Sequence, residues 1–398
     1  MSRRYGRLAG AAAVVVATTL APAGVAAADT PTNHAAAVAQ PSVVYIEVHW
    51  RGWVRDTKTG EVFGGRTGYE LTTRCSGFFA APDGTIVAPA HCVDPGKDGV
   101  LPLFHAKVID ELAAAGRIST MDKGRKKLAA TTALEGAKAK SPVIRDIFVQ
   151  SGPAVVPASA DDAMLAKVVS LTARNAGDVA ILQVTEGRQP ALEVASAPSA
   201  GTSVVLIGYP ASSRTSSALL PSVTEGNLGG GIEVGELSGG VVVDRQGRVV
   251  GLVGASTEGG TTPAGGPKLA ILPTTAITDQ LDSADVDAGP GAADRNYRHG
   301  LDKFYDGYYS AAIKYFDATI AAIPGHGLAN EFRAEAIDLR AKNGDATDWT
   351  TIGMFTAAGL IVVALLVWLV IGLLRRRRRD QEAPARMDEP VVGEPSGV

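Results

Sequence analysis

From Ser42 to about Thr278 the chain alternates short apolar runs with turn residues. "VVYIEVHW", "SGFFAA", "TIVAPAH", "LAKVVSLTA", "DVAILQV", "SVVLIGYP", "GGVVVD", "RVVGLVG" and "KLAILP" are separated by stretches rich in Gly, Pro and Asp. Each is too short for an independent helix and rich in β-branched side chains, which predicts strands. Many short strands between turns predict a barrel or sandwich rather than alternating β/α units. "APDGT" and "DRQGR" supply the tightest hairpin turns, where Asp and Gly suit the backbone that such turns require.

Two stretches change period. Phe104, Val108 and Leu112 recur every four positions, Gly116 can end that helix, and "MDKGRKKLAATTALEGAKAK" continues in Ala, Leu and Lys. This predicts a helical insertion over about 103–140, either packed on the barrel surface or serving as a lid or docking arm. A linker rich in Gly, Pro, Ala and Asp, 281–293, marks a boundary after the strands. Beyond it, Gly300, Gly307, Tyr308, Ala312, Phe316 and Pro324 fall where a tetratricopeptide-like hairpin places its Gly, Gly-Tyr, Ala, Phe and Pro. Residues 294–345 therefore resemble one such repeat and part of a second. Solenoids use about three repeats, so this segment is expected to lean on the barrel or on a protein partner, with Tyr305, Tyr308 and Tyr309 as a candidate face. A plain helical stalk fits the same residues.

Both ends carry membrane signals. Residues 1–28 show Arg3, Arg4 and Arg7, then an apolar run, then Ala26, Ala27 and Ala28. That is the order of an export signal, and the adjacent arginines leave twin-arginine export open beside the general route. Residues 351–374, "TIGMFTAAGLIVVALLVWLVIGLL", carry no charge over a length that exceeds the roughly 30 Å hydrocarbon core as a helix. Arg375 to Arg379 follow at once and mark the cytoplasmic end by the positive-inside bias. The expected chain is a single-pass cell-membrane protein with its bulk outside and residues 375–398, rich in Pro and acid, as a disordered cytoplasmic tail.

Charge and sulfur narrow the chemistry. A net charge of −3 offers no electrostatic case for nucleic-acid binding. Cys75 and Cys92 are the only two cysteines. In an oxidising compartment they most simply form one bridge, worth roughly 3 kcal/mol on the chain-entropy account. A metal site lacks ligands, since His91 is the only histidine close by in sequence, and no cofactor is called for.

His91 stands at a strand end beside Cys92, so its position is clamped and it is a candidate general base. Asp178 precedes the apolar strand "DVAILQV", where a carboxylate can be buried against an imidazole N–H. Ser238 precedes two glycines and a hairpin, a backbone loose enough to present a hydroxyl and nearby N–H donors to one oxygen. A serine hydroxyl needs such a base to become a nucleophile.

With these stretches together, the chain resembles the trypsin-like serine proteases, nearest the bacterial high-temperature-requirement group. "CSGFFAAPDGTIVAPAHC" is similar to their Gly-Ser-Gly-Phe, Pro-Asp-Gly, Ile-Val, Ala-His run, and Cys92 resembles the histidine-loop cysteine of secreted chymotrypsin-like enzymes. "GDVAILQV" resembles their Asp-Leu-Ala-Val-Leu-Lys-Val, and "SGGVVVDRQGRVVGLVG" resembles the stretch that begins at their nucleophile. "VTEG" and "LAILP" match flanking strands, and the order His, Asp, Ser agrees. The resemblance covers about 42–277. It implies a mainly β protein: two six-stranded-type barrels of the chymotrypsin fold over 29–280, with the site in the cleft between them and protein or peptide as substrate.

It also implies Ser238 as nucleophile, His91 as general acid and base, Asp178 orienting it, and the N–H groups of Glu236 and Ser238 as oxyanion donors. The family has glycine where this chain has Glu236, and the loss of one such donor typically costs about 10²–10³ in turnover. A protease-like pseudoenzyme that binds peptides or envelope partners is the alternative, with a mainly structural anchor behind it. "GNLGGG", 226–231, mimics the nucleophile motif with Leu228 in place of serine, but only the Ser238 frame is followed by strand, turn and strand. An α/β-hydrolase would need Gly-x-Ser-x-Gly and a late histidine, whereas His299 and His326 lie in the helical segment. No PDZ module is visible after the strands.

Overall fold

A computed structural model describes residues 31–118, 120–159, 161–185, 187–211, 219–230, 232–256, 268–346 and 349–381. The export signal, 1–28, lies outside the described residues, as does most of the tail, 382–398. The chain divides into two compact units, Met1–Asp345 and Ala346–Val398.

In the first unit, β1 (Val43–Asp56), β2 (Val62–Phe63), β3 (Tyr69–Phe79), β4 (Thr85–Pro89), β5 (Thr132–Glu135), β6 (Ile144–Ser151), β7 (Met164–Leu171) and β8 (Val179–Val184) form one sheet. The path β1–β3–β4–β8–β7–β6 returns to β1, where Val44–Arg51 pairs antiparallel with β6, so six strands close into a barrel. The far end of β1 runs on past the barrel and pairs with β2 and β5. Period-two alternation explains the arrangement. Val44, Ile46, Val48 and Trp50 fill the barrel with Phe79, Ile86 and Leu182. Their neighbours Val43, Tyr45, Phe78, Val87, Val179 and Ile181 face outward into a second core. These strands read as near-continuous apolar runs because both faces are buried.

The second core is shared with β9 (Ser203–Gly208), β11 (Val241–Val243), β12 (Val249–Ala255) and β13 (Leu269–Pro273), while β10 (Ser222–Asn227) pairs with β9 and adds no residue to that core. They form an antiparallel sheet in the order β10–β9–β11–β12–β13. The expectation of two six-stranded barrels is thus met by one closed barrel and a five-stranded sheet, with no pairing between β10 and β13 among the described residues. Val205, Ile207, Val241, Val249 and Leu252 face the barrel, and Val204, Leu206, Val242, Val250 and Val253 form a smaller core behind.

Both anticipated hairpin turns form. In β3–β4, Asp83 Oδ1 accepts from the N–H and hydroxyl of Thr85 at 3.0 and 2.7 Å, and Gly84 has φ +92°. In β11–β12, Asp244 Oδ1 accepts from the N–H of Gln246 and Arg248, both at 2.9 Å.

Helix α1 (Pro31–Ala39) precedes β1. The insertion holds α2 (Leu101–Ala114), which buries Phe104, Val108 and Leu112 against the barrel end, and α3 (Met121–Thr131). The expected helix over "TALE" is instead β5, because Thr132–Glu135 pair with the overhanging end of β1 and Glu135 meets Arg55 at 2.7 Å.

After α4 (Thr274–Ser283), which takes the first part of the expected linker, the chain is held rather than loose. Gly289 N–H donates to the Ala80 carbonyl at 2.8 Å, and buried Asp294 accepts from Ala191 N–H at 3.1 Å. α5 (Ala292–Tyr305), α6 (Tyr309–Ala322) and α7 (Gly327–Asn343) then pack around Phe304, Phe316 and Ala336. Gly300 is required there, since a Cβ would lie 2.6 Å from the Phe316 ring. Tyr309 is buried and Tyr305 packs against the same core, so these tyrosines serve the module itself rather than one exposed face.

The second unit is α8 (Trp349–Gln381), which contains the expected span 351–374. Its stretch Gly359–Arg377, mean hydropathy 2.2, is long and apolar enough to cross a membrane.

Candidate active site

β4 and β8 pair from Thr85↔Gln183 to Pro89↔Val179. Their adjoining ends therefore carry Asp178, just before β8, beside His91, in the short turn that follows β4. Ala90 N–H donates to the Asp178 carbonyl at 2.9 Å and extends the ladder by one step. Asp178 takes a left-handed backbone, φ +53°, which Asp tolerates better than most residues. Its carboxylate is fully buried and accepts three N–H groups: His91 backbone at 2.8 Å, His91 Nδ1 at 2.7 Å and Ala255 backbone at 2.5 Å.

A carboxylate can only accept, so Nδ1 of His91 carries the proton. Nε2 is then free to accept, and Ser238 Oγ lies 2.9 Å from it. The three residues singled out from the sequence thus stand in one hydrogen-bonded line. An imidazole held this way can take the serine proton while the buried carboxylate steadies the resulting imidazolium.

Ser238 comes from the second sheet, in a turn directly ahead of β11. Its carbonyl accepts from Ser76 N–H at 2.7 Å, Gly239 N–H donates to Val253 O at 2.7 Å, and Gly240 N–H to Leu237 O at 2.8 Å. Gly239 has φ +78°, and a Cβ there would sit 1.8 Å from the Ser76 carbonyl oxygen, so only glycine fits. The Glu236 carbonyl accepts from Ala211 N–H at 3.2 Å, and its side chain is exposed. Among the described residues, the backbone N–H groups of Glu236 and Ser238 donate to no backbone carbonyl.

Cys75 and Cys92 are disulfide-bonded, their Cα atoms 6.5 Å apart. The bridge lies against the reacting pair: the two sulfurs are 3.5 and 3.6 Å from Ser238 Oγ, and Cys92 Sγ is 3.5 Å from His91 Nε2. Cys75, His91 and Cys92 bring potential ligand atoms within 4.8 Å of one another, but both sulfurs are committed to each other. Leu228 of the mimic motif lines an apolar groove of about 530 Å³ with Ile232, Val234, Val250 and Leu269, not the surroundings of His91.

Sequence reasoning missed Ser76, Tyr209 and the N–H of Ala255. The first follows Cys75 in a stretch that the sequence already singled out; a backbone donor such as Ala255 leaves no side-chain signal. Scanning protein-family models and searching curated proteins finds no match to this chain.

Proposed function

We propose that the chain is a membrane-anchored serine endopeptidase of the trypsin-like class, acting outside the cytoplasm. The observation that carries the reading is the line Ser238 Oγ, His91 Nε2, His91 Nδ1, Asp178 Oδ2, with contacts of 2.9 and 2.7 Å. A closed six-stranded barrel followed by an antiparallel sheet is compatible with a chymotrypsin-like fold, and the triad order His, Asp, Ser supports it. Ser238 Oγ attacks the peptide carbonyl as His91 Nε2 takes its proton. The N–H groups of Glu236 and Ser238 receive the oxyanion, His91 returns the proton to the leaving amine, and water then cleaves the acyl-enzyme by the same route. The α8 helix anchors the chain, and Arg375 to Arg379 set its cytoplasmic end.

The test is labelling of the full-length chain in detergent by a fluorophosphonate. The parent should label, Ser238→Ala and His91→Ala should not, and Asp178→Asn should slow labelling on the order of 10⁴-fold, the magnitude for removal of an orienting aspartate in a serine protease triad. A folded, disulfide-intact parent that does not label would overturn the activity and favour a peptide-binding pseudoenzyme.

A further inference from the structure

The buried Glu47 carboxylate is already satisfied by Tyr45, His49 and Arg74 at 2.7, 2.6 and 2.9 Å, and nothing in the structure shows what covers the apolar groove at Leu228. The junction between the barrel and the second sheet carries more. His91 and Asp178 belong to the barrel and Ser238 to the sheet, so their geometry depends on how one is held against the other. Ser76, in β3 next to Cys75, stands at that junction and is fully buried.

Its two polar ends point to different parts of the sheet. Its N–H donates to the carbonyl of Ser238 at 2.7 Å. Its Oγ accepts from the N–H of Tyr209, just beyond β9, at 2.7 Å. The backbones around it are at closest approach: a Cβ on Gly239 would meet the Ser76 carbonyl oxygen, and one on Gly208 would lie 2.8 Å from Gly240 Cα and 3.2 Å from Ser76 Oγ.

We propose that Ser76 is a positioning residue for the nucleophile: its hydroxyl ties β9 to β3 and so sets the distance from Ser238 Oγ to His91 Nε2. This rests on the peptidase reading above. Without the hydroxyl, Tyr209 N–H loses its acceptor in a place closed to water, since Tyr209 is 1 % exposed. The sheet then shifts against the barrel at the point where Ser238 is carried, while nothing that would contact the leaving group or the substrate is removed.

The test is fluorophosphonate labelling of the full-length chain in detergent, resolved into the bound-state rate and the apparent affinity. Ser76→Ala should lower the bound-state rate roughly 10- to 100-fold, the scale for misplacement of a reacting group. The affinity should stay within about twofold of the parent, because only the reacting step is affected. Ser76→Thr and Ser76→Val have the same shape and differ in the hydroxyl, so the threonine chain should label at least about tenfold faster than the valine chain. If Ser76→Ala does not fold, this pair decides. A folded Ser76→Ala chain at the parent rate, or equal rates for the pair, overturns the inference while the peptidase reading stands. A parent that never labels removes the peptidase reading, and this inference with it.

Discussion

His91 and Asp178 stand at the ends of β4 and β8, strands paired to each other through five successive positions, whereas Ser238 stands in a turn ahead of the three-residue β11. The base side is thus held by a regular ladder, with the Asp178 carboxylate closing it through three N–H contacts. The nucleophile side is held by single contacts: Ser76 N–H to Ser238 O across the junction, and Gly239 N–H to Val253 O within the second sheet. A ladder spreads strain over many bonds; a turn concentrates it in one or two. Among the supporting residues, substitutions of similar size should therefore do more harm around Ser238 than around His91.

Outside the three reacting residues, the largest effect is expected at glycine. Gly239→Ala forces a Cβ into the Ser76 carbonyl at φ +78° and should lower the fluorophosphonate labelling rate by at least about 10²-fold. Gly177→Ala, beside Asp178 at φ +137°, meets nothing closer than 3.5 Å. It should cost roughly 1–3 kcal/mol of stability through backbone strain and leave the labelling rate within about tenfold. Denaturant melts and labelling rates of both chains check the contrast, and equal losses of rate would abolish it.

The bridge comes next. Cys75→Ser with Cys92→Ser should lower unfolding free energy by roughly 3 kcal/mol through the freed unfolded chain. Below its melting temperature the double variant should still label, because the β4–β8 ladder rather than the bridge places His91. Loss of labelling in the folded double variant would transfer that role to the sulfurs.

The smallest effect concerns acid. Burial pushes the His105 imidazole, in α2 on the barrel side, down to about 4. Burial likewise pushes His326, whose Nδ1 caps α7 by accepting from Ala329 N–H at 3.1 Å, down to about 4. Between the ordinary value near 6.5 and about 4, the unfolded chain binds protons that the folded chain excludes. The stabilisation is therefore full above about pH 6.5 and declines as pH falls, by on the order of 2 kcal/mol for each group at pH 5. His105→Gln and His326→Asn should each flatten that decline in melts between pH 7 and 5. Comparing the two with labelling rates separates acid loosening of the barrel side from loosening of the helical module.

The candidate site was more legible than the frame around it. His91, Asp178 and Ser238 each sit beside a strong local cue: a cysteine, an apolar strand, a pair of glycines. β6 is hard to read from the sequence although it closes the barrel, because Arg145 and Asp146 interrupt its apolar residues and one of its four successive buried positions, Ile147 to Gln150, is polar. "TALE" follows a helix with helix-forming residues of its own, and it becomes a strand because the overhanging end of β1 offers it a partner.

By itself the sequence determined what neighbouring residues can settle: the two-residue period of the strands, the Asp-Gly hairpins, the helix ended by Gly116 and the long apolar stretch near the C-terminus. Those features rest on local backbone preference and on which side chains avoid water. Tertiary structure alone decided the closure of the barrel, the five-stranded form of the sheet beside it and the 2.9 Å between Ser238 and His91. Each of these depends on backbone groups far apart in the chain, such as those of Ser76, Tyr209 and Ala255. Every residue type except proline carries the same backbone donor and acceptor there, so the pairing leaves no mark in the order of side chains.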